Sequence, residues 1–240
     1  MRKIGLLVVG VIMLVLSSCK EEQTVKDCII SEIAKEKVQF EAAGLALQKM
    51  YDEQSSDTIF IEIPTRFLTP YLKALGMIYD LPEIPYYDSI ISIKNTINYT
   101  RKAIFEYEYN QTWIGNWFEG QIPTGNSTVD SLIQQHELMV EPMAGMNRFK
   151  ISSPRPLNYF RLIQVFETIP GIIRGYSVPS YSFNTKIEVT TTDDYYVTIK
   201  FFKGYQKCNF LENDCENYLY YEYLVNLTNC TAQFIDTNAD

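Results

Sequence analysis

Histidine is nearly missing from this 240-residue chain: His136 stands alone. A serine or cysteine nucleophile needs a base beside it, so Ser/His/Asp and Cys/His mechanisms have a single residue to draw on. His136 precedes Glu137 on an expected short helix and reads as a surface or boundary residue. The chain contains no G-x-S-x-G, no Walker loop, no H-E-x-x-H and no G-x-G-x-x-G. Lysine and arginine form no cluster, which excludes binding to nucleic acid through phosphate neutralisation. The 29 acidic residues would permit a two-carboxylate glycosidase, yet no spacing among them selects a pair. Five cysteines without a C-x-x-C, far from the one histidine, do not make a zinc site. No catalytic residue, cofactor or metal is expected. The apolar run at residues 4–16 falls short of the roughly 20 residues that a membrane helix needs.

That run has other features. Arg2 and Lys3 precede it, as in the positive start of a signal peptide, and the run is the right length for its apolar centre. Leu16-Ser17-Ser18-Cys19 resembles the lipobox of bacterial lipoproteins. The resemblance implies that residues 1–18 are removed and that Cys19 becomes the first residue, carrying diacylglycerol on sulfur and an acyl chain such as palmitate on its amine. Several chains on one residue give stable anchoring, whereas one is marginal. Lys20-Glu21-Glu22 lacks the aspartate associated with inner-membrane retention and resembles the surface-export signal of Bacteroidetes lipoproteins. The expectation is an outer-membrane lipoprotein of a Gram-negative bacterium, facing the periplasm or the cell surface, with residues 19–27 as a tether. The formal charge of −8 becomes −10 once Arg2 and Lys3 leave.

With Cys19 lipidated, Cys28, Cys208, Cys215 and Cys230 remain, an even set in an exported chain and so two disulfides. Of three pairings, Cys208–Cys215 closes a short loop and Cys28–Cys230 ties the domain ends together. This pairing is favoured.

Hydrophobic residues at 46% and charged residues at 21% describe a globular chain, and 18 tyrosines with 13 phenylalanines favour strands. Helical spacing predicts helices over 28–51, 67–79, 129–139 and 157–167, the last with Leu157, Phe160, Ile163 and Phe166 on one face. Alternation predicts strands at 58–63, 88–94, 102–109, 148–152, 172–176 and 218–225, and a hairpin of 186–191 with 195–203. Residues 111–126 read as irregular and 141–147 as a loop. Ile63, Tyr71, Pro82 and Ile84 recur as Ile151, Tyr159, Pro170 and Ile172 at a constant offset of 88. The fold class is α+β, an antiparallel sheet with helices on one face, and the offset suggests two ferredoxin-like units in tandem. Residues 28–126 and 127–240 would be those units, or 28–240 one compact domain.

Two stretches carry further resemblances. FKGYQKCNFLENDCENYLYYEYLV (202–225) resembles a C-terminal disulfide hairpin of uncharacterised secreted Bacteroidetes proteins, with Gln206-Lys207-Cys208 in place of the usual Gly-Asp-Cys. LNYFRLIQVFETIPGIIRGY (157–176) is similar to the helix–turn–strand part of subtilisin propeptides and related protease inhibitors, which are ferredoxin-like domains.

Candidate binding residues are Trp113, Trp117 and Phe118, which could stack on a sugar ring or enter a protein partner. Asp57-Thr58, Asp88-Ser89 and Asp130-Ser131, each followed by an aliphatic residue, resemble the O-glycosylation site of Bacteroidetes proteins. This makes Thr58, Ser89 and Ser131 candidate acceptors, although Asp and Ser/Thr are also favoured as helix caps. The expected function is a non-enzymatic, envelope-anchored binding or interaction module with a protein or glycan ligand. The alternatives are a protease-inhibitor-like module and an enzyme of unrecognised type.

Overall fold

The computed structural model describes residues 28–84, 100–179, 185–191, 196–206 and 217–238. The leader, Cys19, the strand expected at 88–94, Ser89, and Cys208 and Cys215 with their bridge lie outside these residues.

The fold is α+β, with two four-stranded antiparallel sheets and five helices among the described residues. The first helix, α1, spans Glu32–Asp52. Ser31 caps it, its Oγ accepting the Ala34 N–H at 3.1 Å. The Asp80 carboxylate holds Ser31 in turn, taking its N–H at 2.6 Å. α1 is buried on two sides, which a single apolar stripe would not allow. Val38, Ala42 and Leu45 enter one core while Ala43, Ala46, Leu47 and Met50 enter another. Alanine on both sides lets neighbours approach closely. α2, Thr65–Tyr79, packs against it.

These helices cover one face of a meander. It consists of β5 (Thr185–Thr191), β6 (Tyr196–Gln206), β7 (Asn217–Asn226) and β8 (Thr231–Thr237), in the order β5-β6-β7-β8. Ile187, Ile199, Phe201, Tyr221, Tyr223 and Val225 form its inner face. β8 was not expected from the sequence. The Cys28–Cys230 disulfide joins the start of this unit to its last turn, with Cα atoms 5.2 Å apart across a separation of 202 residues.

The remaining elements build a second unit inside the first. They are β1 (Thr100–Tyr107), α3 (Thr112–Phe118), α4 (Ser127–His136), β2 (Met139–Pro142), β3 (Arg148–Ser152), α5 (Tyr159–Phe166) and β4 (Ile172–Pro179). The sheet order is β2-β3-β1-β4, all antiparallel. Each crossover therefore skips a strand, the split βαβ arrangement of ferredoxin-like folds. Ala103, Phe105, Phe149 and Ile151 face the helices over a core that includes Leu162 and Phe166. The outer face is polar. There Glu106 Oε2 receives Arg174 Nε at 3.0 Å, the Tyr176 hydroxyl at 3.2 Å and Arg148 Nη2 at 3.4 Å, one carboxylate tying three strands together.

The tandem arrangement is thereby corrected. One unit has the ferredoxin-like order, and the other is a helix pair on a meander, assembled from both ends of the described chain. A boundary at 126/127 would cut through a single core, since Trp113, Ile114 and Trp117 pack with Val129, Leu132 and Ile133. Among the described residues the first copy suggested by the offset of 88 does not open on a strand. Residues 60–63 make one isolated bridge, Glu62 to Leu157, rather than a strand in a ladder. Residues 56–59 form a 3-10 turn.

Smaller departures have local causes. Residues 111–126 contain α3, which the glycines at 115 and 120 disguise. Gly120, at φ +74°, stops it. Residues 139–142, partly assigned to a loop, pair with β3. On α5 the buried face is Tyr159, Leu162, Ile163 and Phe166, while Phe160 points outward, 59% exposed. The buried Tyr159 hydroxyl accepts the Ser153 N–H at 2.8 Å, and burial pushes its pKa up to about 12.

Candidate functional site

The expected aromatic platform is not on the surface. Trp113 and Trp117 retain 8% and 3% of their exposure. The Trp117 ring stacks on Phe166 at 6.3 Å and meets Phe149 edge-on at 6.1 Å. Phe118 is half-buried against Tyr107 and Phe149. Large apolar surface on a short amphipathic helix goes to the core in preference to water, so α3 contributes packing. The Trp113 indole N–H, buried there, has no hydrogen-bond partner among the described residues. Thr58 is half-buried and its hydroxyl donates to the Ser55 carbonyl at 3.0 Å. Ser131 is exposed on α4.

The seam between the two units gathers groups that the sequence kept apart. Asn158, fully buried, organises it. Its Oδ1 caps α5 by accepting the Arg161 N–H at 3.2 Å. Its Nδ2 donates to the carbonyls of Thr58 and Phe60 at 3.1 and 3.2 Å, and its backbone N–H donates to Ile61 O at 2.7 Å. One side chain thus satisfies carbonyls that a ladder would otherwise take, which explains why a strand-like sequence forms no sheet.

Beside this segment lies a hollow of about 640 Å³, lined by residues 59–65, Gln135, His136, Arg161 and Val165. His136 ends α4 and is 7% exposed. Its carbonyl accepts the Ser153 hydroxyl at 2.8 Å. Its Nδ1 stands 3.5 Å from Glu62 Oε1, without the alignment of a hydrogen bond. Arg155 reaches Glu137 at 3.1 Å and Glu62 at 4.0 Å. Arg161 donates from Nη1 to Gln164 at 2.9 Å, while its buried Nε lacks a partner among the described residues.

Of the exposed apolar side chains here, Ile59 (59%) and Phe60 (51%) line the hollow. Phe160 on α5 (59%) and Tyr51 on α1 (43%) are exposed outside it. Tyr51 and Phe160 meet edge-to-face at 6.3 Å, and burial raises the Tyr51 pKa.

The Ser153 hydroxyl donates to the His136 backbone carbonyl rather than to its imidazole. Among the described residues no three His, Cys, Asp or Glu side chains are grouped to hold a metal ion, and no helix is long and apolar enough to cross a membrane. Composition could not reveal this site, because Asn158 and Thr58 are 100 residues apart. The only hint was the strand-like run 58–63 itself.

Burial lowers the His136 pKa below its ordinary 6.5, outweighing the nearby Glu62 carboxylate, which acts to raise it. The folded chain therefore resists a proton that the unfolded chain accepts. This contribution to stability is complete above about pH 6.5 and is lost as pH falls through the lower folded pKa. The wild-type urea midpoint should drop between pH 7 and pH 5 more than that of His136→Gln. Identical slopes would dismiss the effect.

No protein-family model matches the chain, and neither a curated protein nor a solved structure shows significant similarity to it.

Proposed function

We propose that the chain is an outer-membrane lipoprotein, anchored through Cys19, that works as a non-enzymatic interaction module with a protein partner. The observation that carries this reading is the exposed pair Ile59 and Phe60 lining a hollow that also holds His136 and Arg161, with the exposed Tyr51–Phe160 pair on α1 and α5. Protein interfaces use such apolar anchors beside arginine and a few oriented polar groups. A glycan ligand is disfavoured because the two tryptophans that would stack on sugar are in the core. The inhibitor-like alternative draws on one observation, that residues 157–176 form α5, a turn and β4 within a ferredoxin-like unit.

A photo-crosslinking residue placed at Phe60 or Phe160 in the full chain, on intact cells, should yield one discrete protein adduct. The same residue at exposed Ile173 on β4 should not. Equal yields at all three positions, or adducts only at 173, would remove the seam as the interface. Capture of a protease by the 173 variant would favour the inhibitor reading.

A further inference from the structure

Edge strands invite pairing, and folded proteins blunt them. Among the described residues, three of the four sheet edges are blunted. β2 has four residues and ends in Pro142. On β4 the Glu167 carboxylate takes the Gly175 N–H at 2.9 Å. β8 carries a register shift opposite Glu222 and Tyr223, which twists the edge away.

β5 is different. It has seven residues, runs in regular register with β6 and, among the described residues, pairs with β6 alone. α1 does not seal its free side. A trough of about 540 Å³ separates β5 from Leu45, Lys49 and Asp52 of α1. A strand requires about 4.8 Å of lateral room.

The sequence of β5 selects what enters. Thr185-Lys186-Ile187-Glu188-Val189 reads with its charges exchanged about Ile187. When two such strands run antiparallel with Ile187 opposite its own copy, Lys186 of each faces Glu188 of the other. Both pairs lie on the outer face, where Lys186 is half-buried and Glu188 exposed. Ile187 meets itself on the inner face, where it belongs to the core. Within one chain Lys186 and Glu188 already sit 3.0 Å apart, so the exchange requires only a change of partner. A shift of the register by one residue would turn each side chain toward the wrong face.

We propose that β5 is a self-association edge, at which a second copy of this chain adds in antiparallel register about Ile187 to form a continuous eight-stranded sheet. A two-fold axis perpendicular to the sheet places both helix pairs on the same side. It is an isologous contact and closes at two copies. The seam hollow takes no part in it, so the proposal stands apart from the protein-binding reading.

Equal amounts of unlabelled and ¹⁵N-labelled full chain, extracted in detergent, would be mixed and treated with a carbodiimide, which joins carboxylates to amines in contact. Heavy–light peptides linking Lys186 to Glu188 are the expected product. In sedimentation, Lys186→Glu and Glu188→Lys should each weaken dimerisation by about tenfold, since two attractive cross-strand pairs become repulsive. The double exchange K186E/E188K should restore it. The proposal fails if no mixed-label link forms, or if the double exchange is as weak as either single change. It fails equally if the wild type stays monomeric and β5 instead holds an extended segment of a different protein.

Discussion

Phe105→Ala is expected to lower the unfolding free energy by about 3–5 kcal/mol, the range for removing a fully buried phenylalanine. Phe105 sits on β1, a central strand of the inserted unit, with no exposure. Its ring stacks on Phe149 at 5.5 Å and meets Phe166 at 4.8 Å, joining the sheet to α5. Gly175 is pressed against the same ring: a Cβ there would lie 2.8 Å from Phe105 and 2.7 Å from Ile163. Collapse around the lost ring is limited because those neighbours sit on paired strands and on α5, which packs against them, so most of the cavity should persist. Denaturant unfolding of the purified chain would measure the change. A loss under about 1 kcal/mol would mean that the core repacks more freely than its geometry allows.

Replacing both Cys28 and Cys230 with serine should cost about 5 kcal/mol in the loop-entropy description of a long cross-link. The bridge closes 202 residues and encloses the whole inserted unit. Cys28 is 6% exposed and packs in the core under the meander, so the double variant also places hydroxyls near apolar surface. The effect should be unequal between the units. α1, α2 and β5–β8 come from chain ends that nothing else holds covalently, whereas residues 100–179 are contiguous. The variant is therefore expected to unfold in two steps, the meander unit first, when far-ultraviolet circular dichroism is compared with tryptophan fluorescence. Both tryptophans lie in the inserted unit and report on it alone. Coincident transitions with little change in midpoint would contradict this.

The elements of the fold were largely legible because their determinants are local. Ser31 and the spacing after it place α1, the alternation in AIFEYEY places β1, and the Pro-Gly turn after α5 leads into β4. Segments whose conformation depends on distant partners were misread. Residues 58–63 have the composition of a strand, but the carbonyls of Thr58, Phe60 and Ile61 are taken by Asn158. Trp113 and Trp117 looked available for binding because a glycine-rich stretch obscured the helix that turns them inward. Phe160 was assigned to the buried face of α5 and is exposed, because the helix presents Tyr159 and Leu162 to the sheet instead.

By itself the sequence determined the α+β class, the antiparallel strands and most helix positions. Each rests on residue type, spacing or count over a few neighbouring positions. The favoured Cys28–Cys230 pairing, read from an even cysteine set, is the one the structure contains. Only the tertiary structure decided that the ferredoxin-like unit sits inside the other. It alone brought Ile59 and Phe60 to one hollow with His136 and Arg161. Those outcomes depend on which apolar faces bury one another and which side chain satisfies which carbonyl. Such pairings join residues as far apart as Thr58 and Asn158, 100 positions, and no local pattern encodes them.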